Sequence, residues 1–196
     1  MESQSLLVIA TGSSSVIHLT DFLTEMKSTI DNPITVLMTA SAERFLRPEV
    51  VGWFAEEVLT SDTPGLSPVK LALTARAIVV LPASANTLSA AALGLGATPA
   101  QTALLAAPSP VLFFPSMNPV MWRKPAIQRN VAQLRADGNV VVDPIETTTF
   151  HLWKKEKDTG LSLPDTADVV AIIRDRLHGD DVALPGTPAA CAICGR

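Results

Sequence analysis

A chain of 196 residues that is 47% hydrophobic and 17% charged carries enough apolar material for one sizeable core, which favours a single globular domain. The 15 Lys and Arg against 19 Asp and Glu leave a formal charge of -4, so no basic surface exists to neutralise a run of phosphates, and nucleic acid is excluded as an expected partner. Met1-Glu2-Ser3-Gln4-Ser5 has no basic segment and the apolar stretch behind it breaks at Thr11-Gly12, so no secretory signal is expected and the protein is placed in the cytoplasm.

Leu6 to Ala10 is a short apolar run, after which Val16, Leu19, Phe22, Leu23 and Met26 recur at helical spacing. This reads as a strand, a turn and a helix. Ile34 to Met38, Ala77 to Leu81, Val111 to Phe114 and Val140 to Val142 repeat the strand pattern. Helices are expected over Leu88 to Leu93, over Pro99 to Ala107, and in a segment that opens with Pro125 and buries Ile127, Val131 and Leu134. A last helix is expected from near Asp165, with Val169, Ile172, Ile173 and Leu177 on one face and Arg174 and Arg176 near its C-terminal end. Strands that are apolar throughout need cover on both faces, which indicates a doubly wound parallel sheet in a Rossmann-like α/β sandwich. Ligands in such folds sit beyond the carboxyl ends of the strands, so the loops there are the place to seek function.

No residue from Ala77 to Trp122 is charged, yet prolines at 82, 108, 110 and 115 interrupt the stretch and leave no clean run long enough to span a membrane. Burial by the core and by a neighbouring subunit accounts for it better, and a homo-oligomer is expected. One domain is expected over residues 1–178, followed by a flexible tail at 179–196. The two cysteines, Cys191 and Cys194, fall in that tail, outside the context of a thioredoxin-type motif or a zinc site. Residues 145–163 read as a long loop, a lid over the site or a solvated segment.

Two loops carry hydroxyls where a phosphate would bind. Thr11-Gly12-Ser13-Ser14-Ser15 sets a glycine and three serines at a helix start, and Met38-Thr39-Ala40-Ser41-Ala42 ends the second strand. The alternative for the first is an ordinary helix cap by Ser13 or Ser14. The third and fourth loops read Pro82-Ala83-Ser84-Ala85-Asn86-Thr87 and Pro115-Ser116-Met117-Asn118-Pro119-Val120-Met121-Trp122. Taken singly, Asn86 and Asn118 are turn residues, and Met117, Met121 and Trp122 are core packing.

Together these two loops resemble the P-A-S-A-N-T and P-x-M-N-x-x-M-W signatures of the homo-oligomeric flavin-containing cysteine decarboxylases, and Pro125-Ala126-Ile127-Gln128-Arg129-Asn130 is similar to the helix that follows them. The resemblance spans about residues 6 to 143. It implies a flavoprotein sandwich that binds FMN near a subunit boundary, as a homotrimer or a homododecamer built as a tetramer of trimers. It also implies that Gly12, Ser13, Ser14, Thr39 and Ser41 hold the phosphate region, and that Ser84, Ala85 and Asn86 border the flavin. Asn118 would recognise the substrate carboxylate and Met121 would lie against the flavin ring; these two are the implied catalytic residues.

The chain departs from the family pattern in two places. Where the family has its active-site histidine this chain reads Pro68-Val69-Lys70-Leu71, leaving Ser67, His18 and His151 as open candidates for the missing group. Where the phosphopantothenoylcysteine branch has a cysteine, Thr147 to Glu156 has none. That favours the peptidyl-cysteine decarboxylases of modified-peptide biosynthesis, whose product stays oxidised as an enethiol. The expected activity is FMN-dependent oxidative decarboxylation of a precursor peptide ending in cysteine, with Trp153 and Lys154 clamping the peptide. Phosphopantothenoylcysteine decarboxylase and a non-catalytic flavin-binding regulatory subunit are the alternatives.

Overall fold

The computed structural model describes residues 5–151 and 155–179. Its first strand, β1 (Leu6–Ala10), is apolar and buried throughout. Because side chains alternate along a strand, Leu6, Val8 and Ala10 join one core while Leu7 and Ile9 join another on the opposite face. Beside it run β2 (Ile34–Met38), β3 (Glu57–Leu59), β4 (Ala77–Ala83), β5 (Leu112–Pro115) and β6 (Val140–Val141). These form one six-stranded sheet, all parallel, in the order β3-β2-β1-β4-β5-β6.

The helices cover both faces. A 3-10 turn (Ser14–His18) leads into α1 (Leu19–Thr29), followed by α2 (Ala40–Glu43), α3 (Pro48–Val51), α4 (Pro68–Thr74), α5 (Ala85–Ala92), α6 (Pro99–Leu105), α7 (Pro119–Trp122), α8 (Pro125–Ala136) and α9 (Thr166–His178). Phe22, Leu23 and Met26 of α1 pack with Val169, Ile173 and Leu177 of α9 on the face of Leu6 and Val8. Leu88 of α5, Ala103 of α6 and Val131 and Leu134 of α8 cover Leu7 and Ile9 on the other face. The doubly wound reading is therefore correct, and its five expected strands are all present.

The differences have physical causes. Strand β3 is short, lies at the sheet edge and starts with Glu57, which is exposed, so it lacks the apolar run that marked the others. The short helices α2, α3 and α7 complete too few turns to show a period. Residues expected as one long loop instead form an antiparallel hairpin, β7 (Ile145–His151) with β8 (Glu156–Ser162), paired from Ile145↔Ser162 to His151↔Glu156. Three consecutive threonines, Thr147 to Thr149, are β-branched and fit a strand better than a loop. Cys191, Cys194 and the expected tail from 180 onward lie outside the described residues. Among the described residues, no helix is long and apolar enough to cross a membrane.

One carboxylate pins the sheet edge. Glu56 accepts the Ile34 backbone N–H at 2.7 Å, pairs with Lys27 of α1, and donates its own N–H to the Ile34 carbonyl at 3.0 Å. Burial opposes its ionisation, but the hydrogen bonds from Lys27 and Ile34 and the nearby charge outweigh that and hold its pKa below the usual 4.5. A carboxyl with a depressed folded pKa stabilises the fold above its unfolded value and loses that contribution as pH falls through the folded one. Thermal melts of the protein and its Glu56→Gln variant are thus expected to differ most above pH 4.5 and to converge at more acid pH. A difference independent of pH would show that the ionised carboxylate has no special part.

Candidate active site

In this strand order the chain turns outward in opposite directions from β1 and β4, which opens a crevice between their carboxyl ends. A buried hydroxyl spans it. Thr11 Oγ1 donates to the Pro82 carbonyl at 2.7 Å and accepts the Ser84 backbone N–H at 2.8 Å, so the first and third loops are joined through one fully buried side chain. The second loop closes on the first even more tightly. The Thr39 N–H meets the Ala10 carbonyl at 3.0 Å, and a Cβ added at Gly12 would stand 2.4 Å from the Ser41 Cβ.

The fourth loop is tied in twice. Its Ser116 N–H donates to the Ala83 carbonyl at 2.9 Å. Ser13 Oγ donates to Ser116 Oγ at 2.8 Å, and Ser15 Oγ shares a second bond with the same oxygen at 2.7 Å. All four loops singled out by sequence therefore meet at one edge. The helix-cap alternative for the first loop fails at Ser13, which flanks the 3-10 turn without any side-chain cap bond because its hydroxyl is used across the gap. Ser14 is exposed beside it.

Ser84 and Thr39 are true caps: Ser84 Oγ accepts the Thr87 N–H at 3.3 Å and Thr39 Oγ1 accepts the Ala42 N–H, also at 3.3 Å. Capping sets Ala85 and Asn86 in the first turn of α5, with Asn86 exposed. Asn118 caps α7 through its carbonyl oxygen, which accepts the Val120 N–H at 2.8 Å. Because that donor must face Oδ1, the side-chain NH2 points away, and it has no partner among the described residues. Met121 is 45% exposed and no residue of α7 is buried, so the core-packing reading fails for this methionine. It holds in part for Trp122, which packs against the core under α5 and α8.

Two residues of α8 brace the site helices. Gln128 Nε2 donates to the Trp122 carbonyl at 2.7 Å at the end of α7, and Asn130 Nδ2 donates to Ser89 Oγ of α5 at 2.9 Å. Sequence reasoning placed both in a family-like helix without a role, and it missed Thr11 and Ser116 as connectors. Clustered hydroxyls in four post-strand loops were the available signal.

Pro68 opens α4, with Ser67 Oγ accepting the Lys70 N–H at 3.4 Å, so that hydroxyl serves as a cap. His18 is exposed and 3.5 Å from Asp21. Trp153 and Lys154 lie outside the described residues, as does the side chain of His151. A cavity of about 220 Å³ lies at the other end of the sheet, lined by Leu95, Leu105, Phe113, Asp137 and Asn139, and shares no residue with these loops.

The loops present only neutral groups: hydroxyls, an unpartnered amide NH2, backbone N–H groups and a thioether. That set suits an anion held by dipoles next to a flat, polarisable ring, so the residues present fit a flavin phosphate ester. Because the Ser41 carbonyl carbon also lies 3.2 Å from a Cβ at position 12, no rotamer change relieves Gly12→Ala; the second loop must move. Gly12→Ala is expected to lower stability by about 1–3 kcal/mol in chemical denaturation. It should also weaken binding of added FMN. Wild-type behaviour in both assays would show that the loops are not held this tightly.

The flavoprotein family pattern matches residues 1–178. Mersacidin decarboxylase of Bacillus sp. (strain HIL-Y85/54728) is 32% identical over 172 residues, which make up 85% of this chain and 88% of that protein. Among solved structures, a histidine-to-asparagine variant of the peptidyl-cysteine decarboxylase EpiD with the substrate peptide DSYTC matches with a TM-score of 0.82 at 26% identity, over 87% of this chain and 98% of that one. The FMN-dependent cysteine decarboxylase SpaF matches with a TM-score of 0.73 at 31% identity, over 88% of this chain and 97% of its own. On the family match and this relationship, the chain belongs to the flavoprotein family.

Proposed function

We propose that the protein is an FMN-dependent peptidyl-cysteine decarboxylase, converting the C-terminal cysteine of a precursor peptide to an aminoenethiol. The observation that carries this reading is Asn118. Its oxygen is committed to the helix cap, which leaves an exposed NH2 able to donate to a peptide carboxylate without a buried cation. The relatives support the same chemistry: mersacidin decarboxylase by its name, EpiD by its bound peptide ending in cysteine, and SpaF by its flavin.

In this reading Gly12, Ser13, Ser14, Thr39 and Ser41 surround the phosphate, and Ser84, Ala85 and Asn86 border the ring. Bound FMN supplies a two-electron oxidation that these side chains lack. The cysteine Cβ–S bond loses two electrons and two protons to become a thioaldehyde. CO2 then departs, and the electrons of the broken bond move into the C=S group to give an enethiolate. Asn118 fixes the carboxylate that leaves, and Met121 packs on the ring to hold the reacting carbon against it. Trp153 and Lys154, which fall between β7 and β8 in the sequence, clamp the peptide. With Pro68 at the family's histidine position, proton transfer falls to another group.

A homotrimer, or a tetramer of trimers, suits the exposed apolar residues. Leu93, Leu95 and Leu105 stand out from the uncharged stretch, and Ile17, Phe45 and Val120 ring the loops themselves. Light scattering is expected to give three or twelve times the 20.7 kDa chain mass; a monomer would refute the assembly. Purified protein incubated with FMN and peptides ending in cysteine should produce species lacking CO2 and two hydrogens by mass spectrometry. Asn118→Asp, which sets a negative charge against the carboxylate, should retain flavin yet lower kcat/KM by ~100-fold or more. A flavin-loaded protein that leaves a broad panel of such peptides intact would overturn the proposal.

A further inference from the structure

The geometry points to Ser116 as a positioning residue that couples the cofactor loop to the substrate loop; this inference rests on the proposed function. Ser116 is half-buried and lies two residues before Asn118. Its N–H is fixed to the Ala83 carbonyl at the end of β4, while its hydroxyl turns toward the first loop, taking the Ser13 bond and sharing the Ser15 bond. Ser116 thus ties the loop of Asn118 to the loop of Gly12 to Ser15 by hydrogen bonds. It also stands at the undefined position of the P-x-M-N signature.

The three hydroxyls carry three protons. Ser13 spends one on Ser116, and the bond between Ser15 and Ser116 uses another in whichever direction it runs. One proton therefore remains to point outward, from Ser15 or from Ser116. An oxyanion seated on the first loop draws that proton and selects one arrangement of the triad. The fourth loop is then held in one place relative to the phosphate, and the Asn118 NH2 with it, since the cap to Val120 leaves that side chain little freedom. Occupancy of the phosphate position consequently favours binding of the peptide carboxylate, and by linkage the peptide favours the flavin.

The test compares the full chain with Ser116→Ala, Ser116→Thr, Ser13→Ala/Ser15→Ala and the triple alanine variant. Flavin affinity is read from fluorescence quenching of added FMN, and KM and kcat from a peptide ending in cysteine at saturating FMN. Ser116→Ala is expected to raise KM about tenfold with kcat within about threefold, and to weaken flavin binding several-fold. Ser116→Thr, which keeps a hydroxyl, should restore KM. The double variant should reproduce the KM rise, and the triple variant should add nothing further to KM, because in holding the fourth loop the three hydroxyls act as one link. Should Ser116→Ala fail to fold, the double variant carries the test, since it removes both bonds and leaves Ser116 in place. For Ser116→Ala an unchanged KM or an unchanged flavin affinity overturns the inference, as does a triple variant whose KM rise is additive. If the unaltered chain binds flavin yet leaves the peptide intact, the proposed function fails and this inference with it; an active parent beside an indifferent Ser116→Ala removes this inference alone.

Discussion

The buried Thr11 hydroxyl is the constraint on which the rest of the site depends. In a doubly wound sheet the loops after the two central strands diverge, and the opening they leave is useful only if its walls are held. By donating to the Pro82 carbonyl and accepting from the Ser84 N–H, Thr11 satisfies two backbone groups that divergence would otherwise strand in the interior. It also fixes the start of α5, and so the placement of Ala85 and Asn86. Replacing it with valine would preserve shape and leave both groups unpaired, which is why an apolar residue is a poor substitute at this otherwise apolar strand end.

Around that clasp the site is assembled almost without charge. Glycine lets the first two loops touch, serines bridge the first and fourth, and an asparagine caps a short helix with one end while offering the other. A cation would bind a carboxylate or phosphate more strongly, but burying it carries a desolvation penalty that neutral donors avoid. Oriented N–H and O–H dipoles suit an anion without that penalty. Arg123, just after α7, is paired at 3.4 Å with Glu146 at the base of the hairpin.

Much of this was legible in the sequence, because the relevant signals are local. Continuous apolar runs such as Leu6 to Ala10 need cover on both faces, and that alone implies the parallel sheet and puts the loops at one edge. Which loop touches which is a matter of strand order, and no residue encodes it by itself. Ser116 looked like an incidental position in a motif and proved to be a junction, while Gly12 was read as room for a ligand and is also room for Ser41. The hairpin was missed because its sequence is written in threonines, charges and a glycine, with no apolar alternation to mark one face. Edge strand β3 escaped because its three residues open with an exposed glutamate and form no apolar run.

The alternation of β1 has a further result. Leu6, Val8 and Ala10 belong to the core with α1 and α9, and Leu7 and Ile9 to the core with α5, α6 and α8, so the sheet acts as a partition between two independently packed compartments. A change in volume on one side is met first by the helices that share that core. The compartment under α5, α6 and α8 thereby carries the start of the site helix together with the exposed Leu93, Leu95 and Leu105, while the compartment under α1 and α9 backs the same strand tips from the other face.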